Sequence, residues 1–381
     1  MTDWLDWPFL EERHRQLYGQ VIDWCGAHIA DAEHGADVDA ECRSLVASLG
    51  KAGLLKLCVA DGGRLPDIRS LALARALLAS CSGLADFAFA MQGLGSGAIS
   101  LAGSEQQKSE WLPRVASGEA IAAYALTEPE TGSDAANIGM TARRDGDGWV
   151  LHGEKSYISN GTIADLLTVF ARTGTAEEGA RGISAFVVRG DDPGLSVAER
   201  IEVIAPHPLA RLTFDGVRAE LIGTEGDGFR IAMQTLNLFR VTVGAAALGF
   251  ASRALNEAIH FATTRKLGSG TLADNAVTQE KLGEMATSID ASALLIARAA
   301  WQQDMGKSDN RRAAAMAKLH ATEEAQKVID MAVQMHGGLG VTKGAKVEEL
   351  YREIRALRIY EGASEVQKMI IARDLLKEHS Q

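Results

Sequence analysis

The last part of the chain constrains the fold more than any other. From Phe229 to Arg265, Thr278 to Gly306 and Ser308 to Gly337, three stretches of roughly thirty residues carry apolar residues at helical spacing. A fourth, shorter stretch runs from Gly362 to His379. Helices this long exceed the globular mean, and each can hide its apolar stripe only against the others. Four in succession predict an antiparallel four-helix bundle over residues 223–381.

The preceding segment, residues 119–222, has a different texture. "DGDGWVLHGEKSYISNG" opens with a turn signature and continues in alternation. "DLLTVFART", "ISAFVVRG" and "LSVAERIEVI" are short runs bounded by Gly, Pro or Asp. They predict a compact β domain of about six to eight strands. Residues 1–118 read as helical: Leu17, Val21 and Trp24 share a face, "SLALARALLAS" is rich in Ala and Leu, and "GSEQQKSEWLPRVASG" reads as a short helix with Ser104 as its N-cap. The expected class is a multidomain α+β protein: an N-terminal helical domain, a middle β-barrel-like domain and a C-terminal four-helix bundle.

Composition narrows the partners. The net charge of −11 argues against nucleic acid or an anionic membrane surface. No run of about 18 consecutive apolar residues is present, so no membrane span is expected. The N-terminus lacks a basic segment followed by an apolar one, and a cytoplasmic protein is expected. Cys25, Cys42, Cys58 and Cys81 form no CxxC pair, which fits unpaired thiols in a reducing compartment and gives no metal site. "QGLGSG" lies between helical stretches rather than after a strand, so it is no dinucleotide fingerprint. GxxxxGK[ST] and HExxH do not occur.

The most specific string is "YALTEPETGSDAANIG", Tyr124–Gly139. On its residues alone it is a strand, Ala122 to Thr127, running into a Pro- and Gly-rich loop. That loop offers the hydroxyls of Thr127, Thr131 and Ser133 and exposed backbone N–H groups. Such a loop serves equally as a plain polar turn or as a grip on the edge of a flat heterocycle. Four strings together, "YALTEPETGSDAANIG", "GWVLHGEKSYISNG", "AVQMHGGLG" and "IYEGASEVQKMIIARDLL", resemble segments of the acyl-CoA dehydrogenase family, in that family's order and near its spacing. The first resembles its flavin-binding signature.

The resemblance implies FAD bound between the β domain and the bundle, with a neighbouring subunit closing over it in a dimer or tetramer. Tyr124, Leu126, Thr127 and Ser133 match positions around the isoalloxazine. Tyr157, Ile158 and Ser159 match a segment lying against the flavin. Arg265 matches an arginine that reaches the FAD pyrophosphate across the dimer, and Gln334, Gly337 and Gly338 belong to a loop reaching the same way. Glu365 occupies a further cofactor position, while Ser133, Asn237, Arg240 and Gly362 align with substrate contacts.

The resemblance also implies the reaction: loss of two hydrogens from adjacent carbons of an acyl thioester, on coenzyme A or acyl carrier protein. Electrons would pass to an electron-transferring flavoprotein. Glu361 matches the base that takes the α-proton, and Leu357, Ile359 and Tyr360 supply apolar neighbours that would raise its pKa. Some family members carry the base on another bundle helix; the residue here is Phe239, which accepts no proton. Several positions differ from the common pattern. Tyr157 stands for tryptophan, Ser159 for threonine, Gly268–Ser269 for Phe–Gly, Ala276 and Glu365 for glutamine, Ala363 for threonine and Asn237 for aspartate. Two alternatives stay open: an oxidase-like member, and a degenerate, FAD-poor homologue with a binding or scaffold role.

Overall fold

The computed structural model describes residues 3–29, 37–307 and 310–379. Two compact units divide the chain. One holds residues up to Ala32, Asp67–Asp86 and Arg240–Gln381; the other holds Glu33–Pro66 and Phe87–Phe239. The N-terminal segment therefore contributes to both, a partition that local sequence texture does not reveal.

The strand-rich unit contains α2 (Val38–Lys51), most of α4 (Gly83–Ala102), α5 (Glu105–Ala116) and the strands β1 (Ala122–Ala125), β2 (Thr141–Asp145), β3 (Gly148–Ser159), β4 (Leu166–Arg172), β5 (Ile183–Arg189), β6 (Leu195–Arg200) and β7 (Leu209–Ile222). These form one seven-stranded sheet. Strands β4, β2, β3, β7 and β5 follow one another, and β5 pairs back onto β4. The sheet thus closes on itself, with β2 joining β4 through the single parallel pair Thr141–Arg172. Closure removes the unpaired edges that an open sheet exposes. Trp149, Leu151, Phe186, Val188, Leu212, Phe214 and Val217 fill its core.

Local signals account for much of this unit. Ser104 caps α5, accepting from the Gln107 N–H while the Gln107 side chain accepts from the Ser104 N–H. The glycines of "QGLGSG" lie inside α4, and their use is contact. A Cβ on Gly95 would lie 2.7 Å from the backbone of Ala122–Ala123, and one on Gly93 or Gly97 would meet the Phe239 ring.

The helical unit contains α1 (Glu12–His28), α3 (Ile68–Cys81), the greater part of α6 (Gly228–Thr264), α7 (Ala276–Asp304), α8 (Arg311–His336), α9 (Lys346–Leu357) and α10 (Ser364–His379). Helix α8 is its centre, packing against α7, α9 and α10. On α6, Gly244 lets the helix approach the carbonyl of Ala317 on α8, and Gly249 lets it approach that of Ala76 on α3. Ser308 and Asp309, the start of the third long stretch, lie outside the described residues, as do residues 30–36.

Two features were not anticipated. One is α9. The other is a hairpin of β8 (Lys266–Leu267) and β9 (Gly270–Thr271), in which Gly268 and Ser269 form the turn and Gly268 has φ 59°. Helix α6 is the one described helix long and apolar enough to cross a membrane. Its apolar window is 89% buried within the protein, which makes it a core helix. None of the four cysteines is in a disulfide.

Candidate active site

In the strand-rich unit the two flavin-type strings are tied together at one point. Lys155 follows Trp149, Leu151 and Gly153 on the inward face of β3 and is fully buried. Its ammonium donates to the Leu126 carbonyl at 2.9 Å and to Glu128 Oε1 at 2.8 Å. The Glu128 carboxylate also accepts from the N–H groups of Gly139 and Met140, so it closes the 128–140 loop on itself. Burial pushes the Lys155 amine down to about 8, against the pull of Glu128. Just beyond, the Ser156 N–H donates to the Thr127 carbonyl. The β3–β7 register then slips between Lys155 and Ile158. This bulge places Tyr157 at φ 56° with 63% of its surface exposed, while Ile158 returns to the core.

The result is an exposed aromatic ring beside a loop of hydroxyls. Tyr124, Thr127 and Ser159 are half-buried, Ser133 is exposed and Leu126 is buried. The Tyr124 hydroxyl donates to the Ala232 carbonyl. The Thr131 hydroxyl is enclosed without a partner. An exposed ring plus an orphaned hydroxyl fits a flat, hydrogen-bonding ligand such as an isoalloxazine.

In the helical unit, Glu361 lies in the short connection between α9 and α10. It adopts φ 50°, and Gly362 follows at φ 89°. A left-handed Glu is uncommon and must be held by its surroundings. Three side chains from α8 and α10 hold it. Lys318, buried on α8, donates to the carbonyls of Tyr360 at 3.2 Å and Gly362 at 2.7 Å. Gln367 on α10 donates to the Gly362 carbonyl at 2.8 Å. Glu323, five residues beyond Lys318, accepts from Arg358 and from the Ser364 hydroxyl at the two ends of the connection. The φ of 89° favours glycine at 362, and a Cβ there would also stand 2.6 Å from Gln367 Nε2 and push that amide off the Gly362 carbonyl.

Glu361 is half-buried as a residue, yet its Oε2 is enclosed and has no hydrogen-bond partner. Burial pushes its pKa up, and the positive charges of Arg75, Lys318 and Arg240 pull the other way. Arg75 of α3 is itself buried and bidentate to Asp86, with both contacts at 2.8 Å, and it also donates to Thr242. The Glu361 N–H has no acceptor among the described residues. The connection therefore presents an unpaired carboxylate oxygen and an unpaired N–H from the same residue.

Comparison with known proteins agrees along the whole chain. The family models for the acyl-CoA dehydrogenase N-terminal, middle and C-terminal domains match residues 11–119, 123–217 and 226–376. The 3-(aryl)acrylate reductase of Clostridium sporogenes is 34% identical over 379 residues, covering 97% of this chain and all of that protein. The chain belongs to the acyl-CoA dehydrogenase family. The human mitochondrial short-chain specific acyl-CoA dehydrogenase is 37% identical, over 97% of this chain and 92% of its own. The butyryl-CoA dehydrogenase of Megasphaera elsdenii superposes with a TM-score of 0.90 at 29% identity, over 96% of this chain and 99% of its own. These relatives place the protein among flavin-dependent oxidoreductases.

Within this acyl-CoA dehydrogenase fold the remaining positions sort by exposure. Arg265 directly follows α6, Gln334 lies near the end of α8, Gly337 (φ 60°) and Gly338 follow that helix, and Glu365 lies in the first turn of α10. All five are exposed. Asn237 and Arg240 lie one turn apart on α6, half-buried and buried respectively. Lys155, Lys318 and Glu323 were missed by reading the sequence. The signal was present: Lys155 interrupts an inward-facing strand pattern, and Lys318 stands alone in "AAAMAKLHA".

Proposed function

We propose that the protein dehydrogenates an acyl thioester at the α,β position, with Glu361 as the base. The observation that carries this reading is the Glu361 turn. Its unpaired Oε2 is enclosed, its pKa is raised by burial, and the residue is held in a left-handed conformation by Lys318, Glu323 and Gln367. A carboxylate kept short of hydrogen bonds is a stronger base than one in water. The α-proton of a thioester is weakly acidic, so its removal also needs help at the carbonyl oxygen as enolate charge develops. The unpaired Glu361 N–H can give one such hydrogen bond, and losing a donor of this kind costs about 3–4 kcal/mol of barrier.

When bound, FAD supplies a hydride acceptor at N5. The residues that would hold it are Tyr124, Leu126, Thr127, Ser133, Tyr157, Ile158 and Ser159 of one subunit. Arg265, Gln334, Gly337 and Gly338 would come from a second copy in a dimer or tetramer, and their exposure supports that assignment, while Glu365 would occupy a further cofactor position. Ser133, Asn237, Arg240 and Gly362 would contact the substrate. The substrate is an acyl-CoA, or the same acyl group on a carrier protein, and the electron acceptor is an electron-transferring flavoprotein. Of the solved structures this chain resembles, one is described as an electron-transferring flavoprotein of Acidaminococcus fermentans, with a TM-score of 0.89.

The test is an anaerobic screen of acyl thioesters that follows loss of flavin colour. Glu361→Gln should stay yellow and bind thioester, while bleaching slows by about three orders of magnitude or more. Near-normal bleaching in that variant would refute the assignment. Peroxide formed in air would move the reading to an oxidase. Protein that stays colourless after incubation with FAD would move it to a binding role.

A further inference from the structure

We infer that Lys318 is the positioning residue of this site: its buried ammonium grips the two carbonyls that flank Glu361 and thereby fixes both the strained turn and the direction of the Glu361 N–H. The peptide joining Tyr360 to Glu361 is planar, so its C=O and N–H point in opposite directions. Lys318 binds that C=O at 3.2 Å, which sets where the N–H points. A charged donor on the carbonyl also polarises the peptide and strengthens its N–H as a donor on the other side. The second contact, to Gly362 at 2.7 Å, locks the far side of the turn.

The choice of a cation argues for chemistry rather than support alone. Two carbonyls could be satisfied by a neutral amide, as Gln367 already does for Gly362. Burying an ammonium carries a desolvation cost that an amide avoids. The cost is visible in the Lys318 amine, which burial pushes down to about 8; Glu361 pulls it up and Arg240 pushes it down further, with Glu323 and Glu365 adding weaker pulls upward. The return is a positive charge facing Glu361, in the company of Arg75 from α3 and Arg240 from α6, with Asp86 of α4 opposing them. That charge favours the ionised form of the base and opposes the burial that raises its pKa.

Lys318 can act this way only if Glu361 is the base, and the two assignments fail separately. The assay uses FAD-loaded protein and phenylacetyl-CoA, which has α-hydrogens and no β-hydrogen, so no hydride can leave. Exchange of the α-hydrogens into D2O, read by NMR, reports proton removal alone. The infrared stretch of a 13C-labelled thioester carbonyl reports the hydrogen bond from the N–H. Lys318→Met should keep FAD and thioester binding, lower exchange about 100-fold, lessen the carbonyl red shift and move the acid limb of the exchange profile to higher pH. Lys318→Arg should restore the limb and recover part of the rate. If Lys318→Met does not fold, Lys318→Gln, which keeps a donor and loses the charge, should show the same limb shift. Glu361→Gln should abolish exchange while leaving the carbonyl shift in place. Wild-type exchange, limb and carbonyl frequency in the Met or Gln variant would overturn the role of Lys318; wild-type exchange in Glu361→Gln would overturn the base itself.

Discussion

At φ 50°, Glu361 occupies a conformation that costs an ordinary side chain on the order of 1 kcal/mol, and the cost is met by hydrogen bonds to its neighbours' carbonyls. Gly362 bears the larger constraint. Gly362→Ala combines φ 89° with a 2.6 Å approach to Gln367, so it should destabilise the protein by about 1–3 kcal/mol in chemical denaturation and slow turnover as the turn shifts. A second carboxylate shows burial acting without a catalytic role. Glu353 of α9 lies against Gly83, and burial pushes its pKa up to about 7; Arg352 opposes this while Asp86 and Glu349 add to it. The folded state then binds more protons than the unfolded state between pH 4.5 and about 7, so stability falls as pH rises through that window. Glu353→Gln should be more stable than the parent at pH 8 by about 1–2 kcal/mol, with the gain gone near pH 4 in urea titrations.

At the scale of elements, two buried lysines do related work in separate units. Lys155 fastens the 126–140 loop to β3, and Lys318 fastens the α9–α10 connection to α8. Each sits on a strand or helix and reaches out to hold an irregular segment. Breaking the Lys155–Glu128 pair leaves Glu128 buried without its cation. Lys155→Met should therefore lower stability by about 3–5 kcal/mol in thermal and denaturant melts. It should also lower FAD retention, which flavin absorbance after gel filtration would read. The bulge that exposes Tyr157 depends on the same anchor, because the Ser156 N–H bond to Thr127 is its immediate neighbour.

For the whole molecule, the exposed residues Arg265, Gln334, Gly337 and Gly338 set an expectation about assembly. If they reach the cofactor of a second copy, FAD retention depends on protein concentration. Dilution below the dimer dissociation constant should release flavin, seen as a rise in FAD fluorescence, in step with dissociation seen by light scattering. Arg265→Ala should leave the melting temperature nearly unchanged, since surface substitutions usually stay within about 0.5 kcal/mol, yet weaken FAD retention. Retention independent of concentration, with Arg265→Ala unchanged, would count against a shared site.

Sequence by itself determined the ladder of elements. The Ser104 cap, the β2–β3 turn and the long helices α6, α7 and α8 follow from short-range chemistry, because helical spacing, strand alternation and turn residues act within a few positions. It also singled out Glu361 as a candidate, but of the apolar neighbours expected to enclose it only Leu357 is buried, and Ile359 and Tyr360 are exposed. Tertiary structure decided the rest. Helix α9 carries a regular apolar stripe of Val347, Leu350, Ile354 and Leu357 that the sequence reading passed over, while the 266–271 hairpin is too short to carry one. The division of the N-terminal segment between two units depends on contacts far apart in the chain. So does the environment of Glu361: its charges come from Arg75, Arg240 and Lys318 on three different helices, and its backbone is held by α8 and α10. Desolvation and Coulomb interactions depend on distance in space, and separation along the chain does not encode that distance.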